Sequence, residues 1–312
     1  MKIGIFGDIH FSNRSPERRK DDYFQTQIRK FEEALQIFEK FGCDIVVQPG
    51  DFFEAPTAAN RVKSTIITIL KKYNRTIHAI AGQHDIVGHS LGTYPNSPLA
   101  VLEASGVTKL VGKGLSVGKE SDVPEAPEVM LYGASFGEDT PKPFEDTYNV
   151  LLIHKMIGNK KLYPGQELTD PIRFLEKYSN FDLICCGDYH YRFVETWNGR
   201  TIINAGALVR KTISEHDLEH TPAVVVYDTV TTKAEVVELN VSPVEEIFDL
   251  SRTNSKDIDF DKILLFIDKL RNSSLEVSGN WREGILSKLL LERKCNDRVK
   301  VIIDQCLEEI KR

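Results

Sequence analysis

Metal-ligand side chains occur in five short segments of the chain, and each segment follows an apolar run. A glycine stands directly before the first ligand in four of the five, where it allows a sharp turn and a close approach of backbone to side chain. In an open α/β sheet, such side chains would meet at the carboxyl edge of the strands. The segments are Gly7-Asp8-Ile9-His10, Gly50-Asp51, Gly82-Gln83-His84-Asp85, Ile153-His154 and Gly187-Asp188-Tyr189-His190.

The mixture of carboxylates and imidazoles in these segments indicates a pair of divalent cations. Carboxylates suit hard ions such as Mg²⁺ and Mn²⁺, and imidazoles add affinity for Mn²⁺, Fe²⁺ or Zn²⁺. A carboxylate that bridges can hold two ions about 3.5–4 Å apart, and such a pair activates water and neutralises charge on a phosphoryl group. A lone histidine such as His154 is more often structural, but the ordered set predicts a two-metal centre suited to displacement at a phosphoryl group.

The elements that must position these segments begin with an α/β unit. Apolar runs at 3–6, 44–48 and 76–81 predict strands, and they alternate with two predicted helices. The first helix has apolar residues at positions 24, 28, 31, 35 and 38, which is helical spacing, and it ends at Gly42. The second covers positions 62–70. This alternation predicts a largely parallel sheet.

The middle of the chain carries further strand candidates with few helices between them, which predicts a second, more antiparallel sheet. The segment 112–127 is rich in glycine, proline and charge, and it predicts a loop or an irregular hairpin. After Ser242-Pro243 the pattern becomes helical, so we divide the chain into domains 1–242 and 243–312. The middle strand candidates are 129–134, 149–153, 181–186, 201–204, 223–227 and 234–239.

The overall composition narrows the class of protein. At 312 residues, 41% hydrophobic and 28% charged, the chain can bury a substantial core. Its net charge of −6 gives no support to a globally basic nucleic-acid surface. The run Arg14, Arg18, Arg19 and Lys20 is either a local basic patch or a solvated loop. Five cysteines without a C-x-x-C pair predict reduced thiols and a cytoplasmic location. No apolar run reaches the ~20 residues that span a bilayer, so no membrane partner is expected.

The order and spacing of the ligand segments resemble the calcineurin-like metallophosphoesterase superfamily, whose signature runs D-x-H, GD, GNHD, H, GHxH. The resemblance covers roughly residues 1–240. Within the superfamily the chain is similar to SbcD-type DNA repair exonucleases: Gly50-Asp51-Phe52-Phe53 resembles their GDLF element, and Asn204-Ala205-Gly206-Ala207 resembles their P-G-S loop. The implied fold is a four-layer α/β/β/α metallophosphoesterase sandwich with a C-terminal helical cap or extension.

By position, the resemblance implies two ligand sets that share one bridging carboxylate. The cations are expected to be Mn²⁺, with Mg²⁺ as the alternative. His84 is implied as the histidine that protonates the leaving oxygen or steadies the transition state, and Asp85 as the carboxylate that orients it. The first metal set is Asp8, His10 and His190, the bridge is Asp51, and the second set is Gln83, His154 and Asp188.

Three positions depart from the family pattern. Gln83 stands in place of asparagine, Asp188 in place of the first histidine of GHxH, and Glu54 where many of these nucleases have a histidine after GDLF. The second site therefore gains a negative charge and loses an imidazole, which favours Mn²⁺ or Mg²⁺ over Zn²⁺. The alternative is a binding subunit with a weakened second metal site.

The resemblance also implies a substrate and partners. The expected activity is duplex-end exonuclease and single-strand endonuclease cleavage of DNA in repair or recombination, alongside an SbcC-type SMC ATPase and as a homodimer. Arg192, Arg210 and Lys211 would contact flanking phosphates, or are ordinary surface charges. A phosphatase or small-molecule phosphodiesterase on the same scaffold is the alternative. The helical stretches in 255–310 would bind the ATPase or cap the nuclease domain.

Overall fold

Strands arranged in two stacked sheets form the frame of the protein. The computed structural model describes residues 1–123, 125–161 and 168–250, which belong to one compact unit, Met1–Asn254. Its strands are β1 (Lys2–Ile5), β2 (Ile45–Gln48), β3 (Ile77–Ala79), β4 (Thr108–Leu110), β5 (Leu115–Lys119), β6 (Glu128–Ala134), β7 (Tyr148–His154), β8 (Leu183–Gly187), β9 (Phe193–Trp197), β10 (Arg200–Asn204), β11 (Ala223–Asp228) and β12 (Lys233–Glu238).

Helices cover the outer faces of these sheets. The first helix confirms the predicted periodicity, because its buried face carries the apolar positions 24, 28, 31, 35 and 38. Asp22 caps it by accepting a hydrogen bond from the Gln25 N–H, and Gly42 follows its end with a left-handed φ of 67°. The helices are α1 (Tyr23–Lys40), α2 (Asn60–Lys72), α3 (Pro98–Ala104), α4 (Pro171–Lys177), α5 (Glu215–Glu219) and α6 (Val244–Ile247), with 3-10 turns at Gln83–Asp85, Val87–His89 and Leu91–Asn96.

The first sheet has the strand order β12-β11-β1-β2-β3-β4 within the described residues. The pairs β1–β2, β2–β3 and β3–β4 are parallel, as the alternation of strands and helices predicts. The hairpin of β11 and β12 adds antiparallel strands to the free edge of β1. Both strands were expected in the second sheet, and that expectation is wrong, because the sheet that a hairpin joins depends on long-range pairing.

The second sheet has the order β5-β6-β7-β8-β10-β9 in the described part of the chain, and its centre is parallel. The pairs β6–β7, β7–β8 and β8–β10 are parallel, and only the edge strands β5 and β9 pair antiparallel. The expectation of a more antiparallel sheet is therefore wrong. Strands buried on both faces are typical of parallel pairing, and β7 is buried throughout. The predicted irregular hairpin is confirmed by the register shift between β5 and β6.

Three apolar cores confirm the four-layer α/β/β/α arrangement. One core joins α1, α2 and α3 to the outer face of the first sheet, with Phe31 and Leu70 among its fully buried members. A second core fills the space between the sheets, where Ile5 and Leu152 have no exposed surface. The third lies between the second sheet and α4 and includes Leu175. The sheets are thus stacked face to face with helices outside.

The chain beyond β12 first packs on the N-terminal loop. The Lys20 N–H donates to the Ile247 carbonyl, and the Arg19 guanidinium lies over the Phe248 ring at 5.1 Å. The predicted helical stretches in 255–310 lie outside the described residues, and the boundary near residue 243 stays a prediction. Among the helices of residues 1–123, 125–161 and 168–250, none is long and apolar enough to cross a bilayer.

Candidate metal centre

The predicted ligand segments all lie at the carboxyl ends of parallel strands. Asp8 follows β1, Asp51 follows β2, and Gln83 opens the turn after β3, so the first sheet supplies three segments from neighbouring strands. The second sheet supplies His154 at the end of β7 and Asp188 directly after β8. The strand edges of both sheets therefore contribute to one site, as an α/β architecture predicts.

Two glycines make this close approach sterically feasible. A Cβ on Gly82 would lie 2.1 Å from Asp51 Oδ1, and a Cβ on Gly50 would lie 2.4 Å from His154 Nδ1. Gly50 also has a φ of 99°, a backbone region that side-chain-bearing residues rarely adopt. Both positions require glycine for the same reason: the side chain of a predicted ligand occupies the space that a Cβ would need.

We expect Gly82→Ala to cost about 1–3 kcal/mol of stability, because the added methyl group overlaps the Asp51 carboxylate and forces it to move. The φ of Gly82 is −88°, so backbone strain does not contribute. Gly92→Ala is the matched control, because its nearest neighbour would be Ser90 Oγ at 3.6 Å. Thermal unfolding of both variants, with and without Mn²⁺, measures the difference. Equal melting temperatures for the two would contradict the steric argument.

The first predicted ligand set converges in the structure. The donor atoms of Asp8, His10 and His190 all lie within 4.8 Å of one another. Nε2 of His190 is 3.4 Å from Asp8 Oδ2 and 3.2 Å from Nε2 of His10. Partial burial and the nearby His10 lower the pKa of His190, which favours its neutral ring. Two imidazole nitrogens and a carboxylate oxygen that face one another form a set of lone pairs suited to a cation.

Asp51 occupies the centre, as its predicted bridging role requires. Its side chain is 1% exposed, and its Oδ1 accepts a hydrogen bond of 2.9 Å from the His84 N–H. Its Oδ2 lies 3.4 Å from Nε2 of His154 and 3.7 Å from Nε2 of His10. Burial alone would raise the pKa of Asp51, but His154 and the other histidines hold it below its usual range. The carboxylate is therefore ionised and contacts donors from both predicted sets.

The second predicted set is held together by hydrogen bonds. Gln83 Nε2 donates to Asp188 Oδ1 at 2.7 Å, which leaves its carbonyl Oε1 free to accept. The Asp188 N–H donates to Asp8 Oδ2 at 3.0 Å, so the two sets are connected. Nδ1 of His154 lies 2.7 Å from the Pro49 carbonyl oxygen, which directs Nε2 towards Asp51. A main-chain acceptor behind a histidine ring is the usual support of a metal ligand.

Buried polar atoms without partners show that these residues fit bound cations. Burying such atoms costs free energy unless another group satisfies them. Burial, with Asp51 and Asp188 nearby, raises the pKa of Asp8, whereas Asp51 raises the pKa of His154 to about 10 against the effect of burial. Both shifts show that the carboxylates of this centre favour a bound positive charge. Among the described residues, the buried ligand atoms without a hydrogen-bond partner include Asp8 Oδ1, Asp51 Oδ2, Gln83 Oε1 and His154 Nε2.

His84 lies at the open side of the centre, with its side chain 41% exposed. Its Nδ1 is 2.9 Å from the Glu54 carbonyl oxygen, and its Nε2 is 4.0 Å from Asp51 Oδ2. His10, Asp51 and His84 also form a second group with donor atoms within 4.8 Å of one another, which sequence analysis did not predict. The predicted catalytic role of His84 stays a prediction.

Asp85 does not orient His84, which corrects the expectation from sequence. Its fully buried carboxylate accepts hydrogen bonds from the backbone N–H groups of Phe52, Phe53 and Gly82, at 2.8–3.2 Å. Burial and the charge of Asp51 raise its pKa to about 7. The group that faces Nδ1 of His84 is instead the Glu54 carbonyl. Asp85 therefore ties the loop after β2 to the turn after β3.

Of the three cations predicted to contact substrate, the structure brings one to the centre. Lys211 forms an ion pair with Glu54, whose other oxygen lies 3.2 Å from Nδ1 of His10. Arg210 is buried and donates from Nε to the His220 carbonyl at 2.6 Å, so its predicted phosphate contact is wrong. Arg192 is also engaged elsewhere, with the Thr221 carbonyl and the Glu238 carboxylate. Acceptors from other parts of the chain, which the fold brings next to them, hold these two arginines.

The residues of the predicted basic patch near the N-terminus have different surroundings in the structure. Arg19 is buried and pairs with Asp21 at 2.7 Å, and Lys20 donates to the Glu245 carbonyl. Both are therefore structural. Arg14 is exposed and lines a cavity of about 600 Å³ beside the centre, which Lys211 also lines.

One further side chain supports the centre and two others line the adjacent cavities, and none of the three was predicted. Gln27 on α1 is fully buried and donates to the His10 carbonyl at 2.7 Å. The sequence signal for Gln27 is its position, as a polar residue on the apolar face of α1. Tyr23 lines both the large cavity and a smaller one of about 290 Å³. His216 lines the smaller cavity and stacks on Tyr191 with ring centroids 3.5 Å apart. The sequence carries no recognisable signal for His216.

A two-sheet α/β/β/α sandwich with carboxylates and imidazoles at its strand ends defines a metal-dependent phosphoesterase. The chain belongs to the calcineurin-like phosphoesterase superfamily, whose domain model matches residues 1–231. That family uses divalent metal ions, in agreement with the donor set described above.

The chain is also similar to individual proteins of known name. The double-strand break repair protein MRE11 of Encephalitozoon cuniculi (strain GB-M1) is 24% identical over 260 residues. The match covers 69% of this chain, which spans 43% of the length of that relative. Among solved structures, an archaeal phosphodiesterase matches 77% of this chain and 100% of its own at 16% identity and a TM-score of 0.40. A dimetal phosphatase from Danio rerio matches 77% and 99% at 12% identity and a TM-score of 0.45.

Proposed function

We propose that this phosphoesterase is a two-metal DNA nuclease that acts in DNA repair or recombination. The observation that carries the proposal is the convergence of both ligand sets around Asp51, whose Oδ2 contacts histidines from each sheet. The similarity to a double-strand break repair protein supports DNA as the substrate. Fold alone does not select a substrate, so the substrate rests on that similarity and on the groups around the centre.

Asp8, His10, His190 and Asp51 would hold the first cation, and Asp51, Gln83, His154 and Asp188 the second. Such cations act as Lewis acids on a phosphoryl group and neutralise its developing charge. His84 would protonate the leaving oxygen: its Nδ1–H donates to the Glu54 carbonyl, so the proton given up would be the one on Nε2 of the imidazolium form. Lys211, half-buried between the two cavities, would attract the phosphate next to the cleaved bond.

The test compares three substrates under the same conditions with Mn²⁺. We expect cleavage of duplex ends and of single-stranded DNA, with little turnover of p-nitrophenyl phosphate, a monoester. Strong monoester turnover without DNA cleavage would instead identify a phosphatase and reject the proposal. No turnover of any substrate, with weak binding of the second metal, would identify a binding subunit.

We further propose Mn²⁺ as the metal, because the second set contains two oxygen-donor side chains, Gln83 and Asp188, and one imidazole, His154. Stronger activation by Zn²⁺ than by Mn²⁺ or Mg²⁺ would contradict this assignment. The described cysteines Cys43, Cys185 and Cys186 are free and buried, which supports a reducing, cytoplasmic location as part of the proposal.

The proposed partners are DNA, a second copy of the nuclease subunit and an SbcC-type SMC ATPase. We expect a chain that lacks residues 255–312 to keep its metal-dependent activity and to lose association with the ATPase. Co-elution from a sizing column measures that association for the full and shortened chains. If the shortened chain still formed the complex, residues 255–312 would not be the docking region.

A further inference from the structure

Glu54 lies between a metal-ligand histidine and a lysine. Its Oε1 pairs with Lys211 Nζ, and its Oε2 is 3.2 Å from Nδ1 of His10. Neither Oε2 nor Nδ1 of His10 has a hydrogen-bond partner in the described structure, so their 3.2 Å contact is an ion-pair distance between two otherwise unsatisfied atoms. The Glu54 N–H donates to the Phe11 carbonyl at 3.1 Å, which fixes the Glu54 backbone beside the strand-end loop that carries His10.

We infer that Glu54, anchored by Lys211, is a positioning residue that fixes the tautomer of His10. A neutral imidazole carries its proton on one nitrogen, and the other nitrogen offers the lone pair. The negative charge of a carboxylate 3.2 Å from Nδ1 favours the proton on that nitrogen, so Nε2 remains unprotonated. Nε2 is the atom that lies 3.2 Å from His190 Nε2 and 3.7 Å from Asp51 Oδ2. The carboxylate thus presents the His10 lone pair to the metal site.

Lys211 gives the carboxylate its orientation. It occupies Oε1, so the remaining oxygen, Oε2, is the one that faces His10. Glu54 also supports His84, but through its main-chain carbonyl, which lies 2.9 Å from Nδ1 of His84. A side-chain substitution at position 54 therefore changes the support of His10 and leaves the support of His84 in place, which provides a control inside the same molecule.

The decisive variant is Glu54→Gln in the full chain. Its amide oxygen would stay with Lys211, so its NH₂ group would face His10 Nδ1 and favour the tautomer protonated at Nε2. We expect Mn²⁺ affinity, measured by calorimetry, to fall about 10–100-fold. In the metal-free protein, two-bond ¹H–¹⁵N correlation spectra should show His10 change from the Nδ1–H to the Nε2–H form, while His84 keeps its spectrum. Lys211→Met should weaken Mn²⁺ binding less, and non-additively with Glu54→Gln.

Glu32→Gln is the matched control, because Glu32 forms an exposed ion pair of 2.9 Å with Lys72. It should change neither measurement. An unchanged His10 spectrum in Glu54→Gln would overturn the inference, and if Mn²⁺ affinity fell at the same time, Glu54 would be a direct ligand. The inference rests on the proposed metal site and not on DNA as substrate. A chain that shows both expected changes but cleaves no DNA would refute the proposed function alone.

Discussion

Replacing Asp51 with asparagine is expected to reduce phosphodiester hydrolysis by about 10³-fold and to abolish tight binding of the second Mn²⁺ ion. The substitution preserves the shape of the side chain and removes the charge that both ligand sets share. Asp51 Oδ2 lies within 4.0 Å of ring nitrogens of His10, His84 and His154. Each other carboxylate oxygen that pairs with a histidine in the described structure pairs with one histidine. Calorimetric titration and a nuclease assay on the same preparation measure the two losses.

Asp44→Asn is the control for this prediction, because Asp44 is exposed and its carboxylate accepts only the Lys2 N–H in the described contacts. It should retain full activity and full metal binding. Circular dichroism of Asp51→Asn should match that of the parent, which separates loss of the site from loss of the fold. If Asp51→Asn still bound two Mn²⁺ ions and cleaved DNA, Asp51 would not be the bridge, and the two-metal assignment would be lost with it.

His84→Gln is expected to lower kcat/KM by about 10²–10⁴-fold while Mn²⁺ affinity stays within a factor of two or so of the parent. The imidazole would protonate the leaving oxygen, and an amide of similar reach cannot carry that proton. Its side chain is 41% exposed, so the substitution should cost little stability. The separation of activity from metal binding is the decisive result.

The geometry makes the opposite outcome informative as well. Because His84 falls in a donor group with His10 and Asp51, a large fall in Mn²⁺ affinity in His84→Gln would identify it as a ligand and remove its assignment as an acid. A substrate with an activated leaving group, such as a nitrophenyl diester, adds a second test. Its hydrolysis needs little protonation of the leaving oxygen, so His84→Gln should slow it much less than DNA cleavage. His89→Gln, an exposed neighbour, is the matched control.

The features that could be predicted from the sequence depend mostly on residues that lie close together in the chain. The apolar spacing of α1 predicts its buried face, and the five ligand segments lie at strand ends because a turn must follow each strand. Predictions failed where the outcome depended on residues far apart in the chain. Arg210 donates to a carbonyl at position 220 and lies against Ser242, and Asp85 binds backbone groups at positions 52 and 53.

The sequence by itself determined the chemistry of this protein: which ligand atoms are available, in what order, and at the ends of which strands. Side-chain type and local spacing are sufficient for that. Only the tertiary structure decided how those atoms are supported. It joined Lys211 to Glu54 and Glu54 to His10, and it placed the β11–β12 hairpin on the first sheet. Such contacts depend on long-range strand pairing and on how loops from distant parts of the chain come together, which no local pattern of residues specifies.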